Sequence, residues 1–298
     1  MPSFFHIVVL KERCFIMGLI IVAIIFGIIE GVTEWLPVSS TGHLILFEEI
    51  LPSYISEDVW DMFLVIIQLG AILASVILFW DKIWPFRKPN KLEGKGIIKK
   101  DSFILWFKVA IATVPGVVFI LFGLDEICDK YFYNSTGVAI ALIVFGIFFI
   151  LIERYNKKRT PKYEGLSDIT YSLAIYIGLF QLLAAAFPGT SRSGATILGA
   201  LLLGVSRVAA SEFTFILAIP AMLGASVIKI FDFLEKGISL NTNDIIFLLV
   251  GTVCAFIVSV LAIKFLMGYI KKHNFEVFGY YRIALGLVVL LTFGMIIK

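Results

Sequence analysis

Charge is what this sequence has least of: Asp, Glu, Lys and Arg supply only 16% of its 298 residues, against roughly 25% in soluble globular chains. Apolar side chains fill the deficit, reaching 60% with a mean hydropathy of +0.99. One core cannot hide that excess, because surface-to-volume scaling leaves a chain of this size with much surface exposed. Lipid is therefore the solvent for that surface, which excludes a cytosolic enzyme, a secreted disulfide scaffold and a disordered chain. Cysteine is scarce too. Cys14, Cys128 and Cys254 are odd in number and far apart, so they form neither a disulfide framework nor a metal-ligand spacing, and they read as small apolar fillers. The net charge of +3 is too small for a nucleic-acid partner. The N-terminal apolar run is expected to be retained and not removed as a leader. Lys11 and Arg13 precede an uncharged run from Cys14 to Ile29, but Glu30-Gly31-Val32-Thr33-Glu34 follows in place of a small-residue cleavage site.

What is present is a set of long apolar runs. Six match the length of about 20 residues that crosses roughly 30 Å of hydrocarbon: 59–80, 103–123, 136–152, 211–231, 245–266 and 278–297. Two more, 16–51 and 169–205, are interrupted by Pro37-Val38-Ser39-Ser40-Thr41-Gly42-His43 and by Pro188-Gly189-Thr190-Ser191-Arg192-Ser193-Gly194. Non-helical backbone at membrane depth is tolerated only inside protein or beside a watery cavity, so both runs read as re-entrant helix pairs. The fold class is an all-α polytopic membrane protein of six transmembrane helices plus two re-entrant pairs.

Basic loops set the orientation. Residues 81–101 carry Lys82, Arg87, Lys88, Lys91, Lys95, Lys99 and Lys100, and 153–168 carry Arg154, Lys157, Lys158, Arg159 and Lys162. Both loops are expected in the cytoplasm, with Lys271 and Lys272, while the acidic loops 124–135 and 232–244 belong outside. Only Lys11 and Arg13 fit poorly, a misfit that disappears if Met17 is the start.

The chain also repeats itself. At an offset of 151, Gly27 falls on Gly178, Glu30 on Gln181, Pro37 on Pro188 and Ser40 on Ser191, and Ala74-Ser75-Val76-Ile77 meets an identical Ala225-Ser226-Val227-Ile228. Three spans follow the broken pair in each half, an odd number that turns the second half upside down. The expected organisation is an N-terminal extension (1–16), a first half (17–153), a cytoplasmic linker (154–168) and an inverted second half (169–298), with a midplane site where the broken helices meet.

Glu30 and Glu34 lie four apart, so their carboxylates share one helix face. Carboxylates are costly in a membrane and default to functional hypotheses there, against the plainer reading of a solvated acidic face near the outer surface. Taken alone, Ser39, Ser40 and Thr41 read first as a helix cap, and His43 as a hydrogen-bonded structural histidine. The second break shifts that balance. Arg192 stands between Ser191 and Ser193, behind Gly189, at the expected start of a helix over 193–205. Free N–H groups at a helix start bind phosphate, and arginine adds a bidentate fork for its oxygens. Arg207 reads as an interfacial anchor in a short cytoplasmic loop. Together these groups can perform hydrolysis. Serine is a nucleophile that needs a neighbouring base, which His43 or a Glu would supply; alternatively Glu30 and Glu34 would hold Mg²⁺ or Ca²⁺ against phosphate oxygens. A charged head with its tail in the bilayer implies a lipid phosphate.

At these residues the chain resembles the bacterial undecaprenyl-diphosphate phosphatases, membrane enzymes that confer bacitracin resistance. The resemblance rests on Glu30 to His43 (EGVTEWLPVSSTGH) and Pro188 to Thr196 (PGTSRSGAT), with family-like text at 68–70 and 211–225. It implies hydrolysis of the C55 isoprenyl diphosphate to the monophosphate carrier and inorganic phosphate, on the outer side of the cytoplasmic membrane. It also implies roles for Glu30, Glu34, Ser40, His43 and Arg192 in catalysis, with Ser39, Thr41, Gly189, Thr190, Ser191, Ser193 and Thr196 around the substrate. Residues 1–16 have no counterpart in that pattern. The implied partners are the isoprenyl diphosphate and membrane lipids, a homodimer being left open. The rival reading is a lipid-phosphate flippase, since inverted repeats with broken helices are also a transporter architecture; Ser40 with His43 favours chemistry.

Overall fold

The computed structural model describes residues 4–51, 54–86 and 97–296. Arg87, Lys88, Lys91 and Lys95 of the first basic loop lie outside them. The first half comprises α1 (Phe4–Thr33), α2 (Ser40–Ile50), α3 (Glu57–Leu78), α4 (Trp80–Ile83), α5 (Lys100–Leu121), α6 (Leu124–Phe132) and α7 (Ser135–Asn156). The second comprises α8 (Tyr171–Ala186), α9 (Arg192–Leu202), α10 (Arg207–Glu235), α11 (Thr242–Tyr269) and α12 (Glu276–Ile296). Among the described residues strand-type pairing is limited to two isolated bridges, Phe86 with Ile98 and Tyr163 with Val205. Among the described residues six helices are long and apolar enough to cross a membrane. Residues 13–33 of α1 are among them, outside the six runs expected from the sequence, because Pro37 interrupts only after a full span's length. Helix α1 also runs through Met17 without a break. The loop expected over 124–135 contains a helix, α6.

Why these residues make these helices is local. Helix α3 opens with Glu57 and Asp58 at its positive end, and α11 opens on a capping box in which Asn241 and Asp244 satisfy each other's free backbone groups. Apolar exposure shows which face meets lipid. On α11, Leu249, Val253, Ile257, Leu261 and Phe265, each four residues from the last, are 52–61% exposed, a continuous apolar stripe that water would not tolerate.

The broken pairs end in short helices. At 1.5 Å per residue, the 11 residues of α2 and of α9 span only about 16 Å, too little to cross a bilayer. Residues 193–201 of α9 are all buried, so it is a core element among α7, α8 and α10. The long arms pack in a matched way, α1 along α11 and α8 along α5. Both approaches depend on the glycines paired in sequence. A Cβ on Gly27 would lie 2.6 Å from the Gly251 carbonyl oxygen, and one on Gly178 would collide with that of Ala112. Bare backbones let the helices meet.

Candidate active site

Each break turns on a serine with unusual backbone. Ser39 (φ 73°) and Ser191 (φ 70°) are the only non-glycine residues with positive φ among the described residues, a conformation that costs of order 1–3 kcal/mol and tends to be kept at functional sites. Both act as N-caps, Ser39 Oγ accepting from the Gly42 N–H (3.4 Å) and Ser191 Oγ from the Gly194 N–H (3.1 Å). This geometry corrects the repeat at the breaks. Ser191 matches Ser39 and not Ser40, because the second break holds one more residue between its proline and its cap. The first helical residues are then Ser40 in α2 and Arg192 in α9, one residue earlier than the start expected at 193. A hydroxyl and a guanidinium occupy equivalent places.

Those two residues meet over Glu34. Arg192 Nη2 donates to Glu34 Oε1 at 2.6 Å, and Ser40 Oγ donates to Glu34 Oε2 at 3.3 Å. Ser193 Oγ donates to the Glu34 carbonyl at 3.0 Å and contacts Ser191 Oγ at 3.1 Å. A cavity of about 320 Å³ opens beside them, lined by Glu34, Ser40, Thr41, Gly189, Ser191 and Arg192 from the expected set. Gln68 and Gln181 join its wall, as do Met222 of α10 and Thr113 of α5, the last of which nothing local in the sequence marks. Met222 Sδ lies 3.1 Å from Arg192 Nη2. The first-half carboxylate, the second-half arginine and the first residues of two helices thus line one space, an arrangement suited to binding a phosphate oxygen and presenting a hydroxyl to its phosphorus.

Other expected residues stand apart from the cavity. His43 Nδ1 is 2.7 Å from the Ser39 carbonyl oxygen and Nε2 is 2.7 Å from the Tyr281 hydroxyl. A carbonyl only accepts, so in the neutral ring Nδ1 is the donor and Nε2 takes the tyrosine proton. No lone pair remains for Ser40, so of the two bases weighed for it, His43 or a glutamate, Glu34 is the one in contact. Thr196 Oγ1 bonds back to the Arg192 carbonyl (2.9 Å) and receives Thr214 Oγ1 (3.0 Å), so it braces α9. Thr190 is fully buried with its hydroxyl unpartnered. Arg207 is the first residue of α10 instead of a loop residue, and its Nε donates to the buried Glu153 at 2.9 Å, which makes it a structural clamp.

Glu30, a turn before Glu34, is fully buried with neither carboxylate oxygen partnered. Buried polar atoms of this kind call for a proton, a water or a cation. Among the described residues no group of three or more His, Cys, Asp or Glu is placed to hold a metal. Mg²⁺ is usually bound through one or two carboxylates plus substrate phosphates; Glu30 has both oxygens open to such a cation, whereas those of Glu34 already accept from Arg192 and Ser40.

Sequence reasoning missed Tyr281 and Arg282 on α12. Arg282 is fully buried, and the signal was there: an arginine inside an apolar run at 278–297, where an intramembrane charge defaults to a functional hypothesis.

Known proteins match the chain along most of its length. Residues 23–288 match the family described as Bacitracin resistance protein BacA. The chain is 55% identical over 266 residues to an undecaprenyl-diphosphatase of Lachnoclostridium phytofermentans, covering 89% of this chain and 94% of that one. It is 54% identical to an undecaprenyl-diphosphatase of Enterococcus faecalis (91% and 96% covered) and 53% identical to one of Desulfitobacterium hafniense (91% and 95%).

Proposed function

The chain belongs to the bacitracin resistance protein BacA family, and from that premise we propose how its site hydrolyses undecaprenyl diphosphate. Its apolar helices make it a multi-pass membrane protein, and the relatives' name, undecaprenyl-diphosphatase, supports an isoprenyl diphosphate as its substrate. Arg192 and the N–H groups at the starts of α2 and α9 bind the diphosphate, whose charge suits a helix start. Ser40 Oγ attacks the terminal phosphorus while its proton passes to Glu34, the carboxylate it already touches. The bond from that phosphorus to the bridging oxygen breaks, the lipid monophosphate leaves with the electron pair, and a phosphoserine remains. Glu34 returns its proton to the leaving phosphate. It then takes one from the water that attacks phosphoserine and passes it to Ser40 Oγ as the bond from phosphorus to Oγ breaks, releasing inorganic phosphate and restoring both the serine and the carboxylate. A Mg²⁺ or Ca²⁺ bound here would be held by Glu30 and Glu34 and would supply positive charge to the phosphate oxygens. Translocation needs charge complementarity but no nucleophile, so the hydroxyl on Glu34 favours hydrolysis over a flippase.

The observation that carries this reading is the chain of contacts Ser40–Glu34–Arg192 across the two broken helices. Further readings extend it. The broken pairs form an inverted-topology repeat, supported by the matched caps at Ser39 and Ser191. The protein sits in the bacterial cytoplasmic membrane with its cavity open to the outer side, supported by the basic residues of 153–168. Phosphate release from purified protein and C55 diphosphate in detergent tests the activity: multiple turnovers support it, and no release by folded protein contradicts it.

A further inference from the structure

Arg282 lies on α12, outside both sequence motifs, and its guanidinium is fully buried. No carboxylate among the described residues forms an ion pair with it. Taking a charge out of water without a counter-ion costs several kcal/mol, so its contacts must matter. Nη1 donates to the Pro37 carbonyl at 3.2 Å and Nη2 to the Gly189 carbonyl at 3.0 Å. One planar fork therefore grips both breaks. The flanking atoms are neutral: Cζ stands 6.0 Å over the Phe149 ring, and a Cβ on Gly194 would come within 3.3 Å of Nη1.

The two carbonyls occupy equivalent places. Pro37 stands three residues ahead of Ser40 and Gly189 three ahead of Arg192, the residues that open α2 and α9 and face the cavity. Broken segments have no helical ladder to satisfy their carbonyls, and a rigid guanidinium holds two acceptors at a fixed separation, which an ammonium cannot do. The neighbouring Tyr281 ties the same turn of α12 to His43, whose Nδ1 bonds the Ser39 carbonyl.

We propose that Arg282 is a positioning residue: by gripping Pro37 and Gly189 together, it sets the distance between Ser40 and Arg192, and so between the attacking hydroxyl and the phosphate it attacks. This rests on the hydrolytic reading above. Placement of reacting groups is where such a residue shows, since a displacement of about 1 Å costs on the order of 10²-fold in rate.

The test uses full-length protein carrying Arg282→Met, Arg282→Gln or Arg282→Lys, with kcat and KM for C55 diphosphate expressed per folded molecule. In parallel, spin labels at positions 50 and 202, exposed on α2 and α9, report the distance between the two helices without substrate. Met and Gln should lower kcat by at least about tenfold with KM within about threefold, and should broaden the label distances. Lys, reaching one carbonyl at a time, should recover only part of the loss. If Met does not fold, Gln and Lys decide. Wild-type kcat per folded molecule in Lys or Gln, or a kcat loss with an unchanged distance distribution, overturns the proposal. Wild-type protein that fails to hydrolyse the substrate would instead overturn the hydrolytic reading, leaving the label distances to judge Arg282.

Discussion

Arg192 and Glu34, 158 residues apart in the chain, meet through a 2.6 Å hydrogen bond between Nη2 and Oε1. Their side chains are only 17% and 11% exposed. In that setting removing one partner leaves the other charge uncompensated, a loss larger than the pair's own net contribution. In the proposed reaction an arriving phosphate would offer Arg192 a more highly charged acceptor and free Glu34 to receive the Ser40 proton.

Arg192→Lys should therefore lose most activity, about tenfold or more in kcat/KM, or at least about 1.4 kcal/mol of transition-state stabilisation. The ammonium keeps the charge without the fork. Steady-state kinetics on purified protein check this, and near wild-type turnover would remove Arg192 as the phosphate clamp.

The base should be Glu34 and not His43. Glu34→Gln keeps the shape but cannot take the Ser40 proton, so kcat should fall by about 10²-fold or more, within the range general-base catalysis supplies. His43→Gln, which loses only the ties to Ser39 and Tyr281, should cost less than Glu34→Gln. A reversed order would make the histidine the base.

Ser39 gives a prediction on stability alone. Ser39→Ala keeps the positive-φ strain and loses the cap to Gly42, so it should destabilise by about 1 kcal/mol. Ser39→Gly loses the same cap but relieves the strain, so its thermal midpoint should lie above that of the alanine variant. An alanine variant equal to or above glycine would mean the backbone at Ser39 is unstrained in the protein.

Orientation is tested by labelling. In a variant lacking Cys14, Cys128 and Cys254, a cysteine at 129 in α6 should react with a membrane-impermeant reagent from outside, and one at 158 in the basic linker should not. The opposite pattern would turn the cavity toward the cytoplasm.

Local signals made the helices and breaks legible. Apolar runs place α3, α5, α7, α10, α11 and α12 to within a few residues, and Pro37 and Pro188 mark where the other two runs fail. The offset that pairs Gly27 with Gly178 foreshadowed two equivalent close approaches. What could not be read was tertiary. Ser39 and Ser40 are adjacent and alike, so only backbone geometry shows that Ser39 is the cap and Ser40 the cavity residue. His43 sits three residues from Ser40, near enough to suggest a catalytic pair, but the helix turns its ring toward Tyr281, 238 residues away. Arg282 reaches back 245 residues to Pro37, a contact without local trace.

The most direct measurement is a rapid quench of the reaction with C55 diphosphate radiolabelled in its terminal phosphate. Hydrolysis through Ser40 predicts label bound to wild-type protein in the first turnover, located at Ser40 after digestion, and Ser40→Ala protein that binds substrate but neither takes up label nor releases phosphate. Turnover with no protein-bound label at any quench time, together with residual activity in Ser40→Ala, would contradict the serine nucleophile and assign the attack to water.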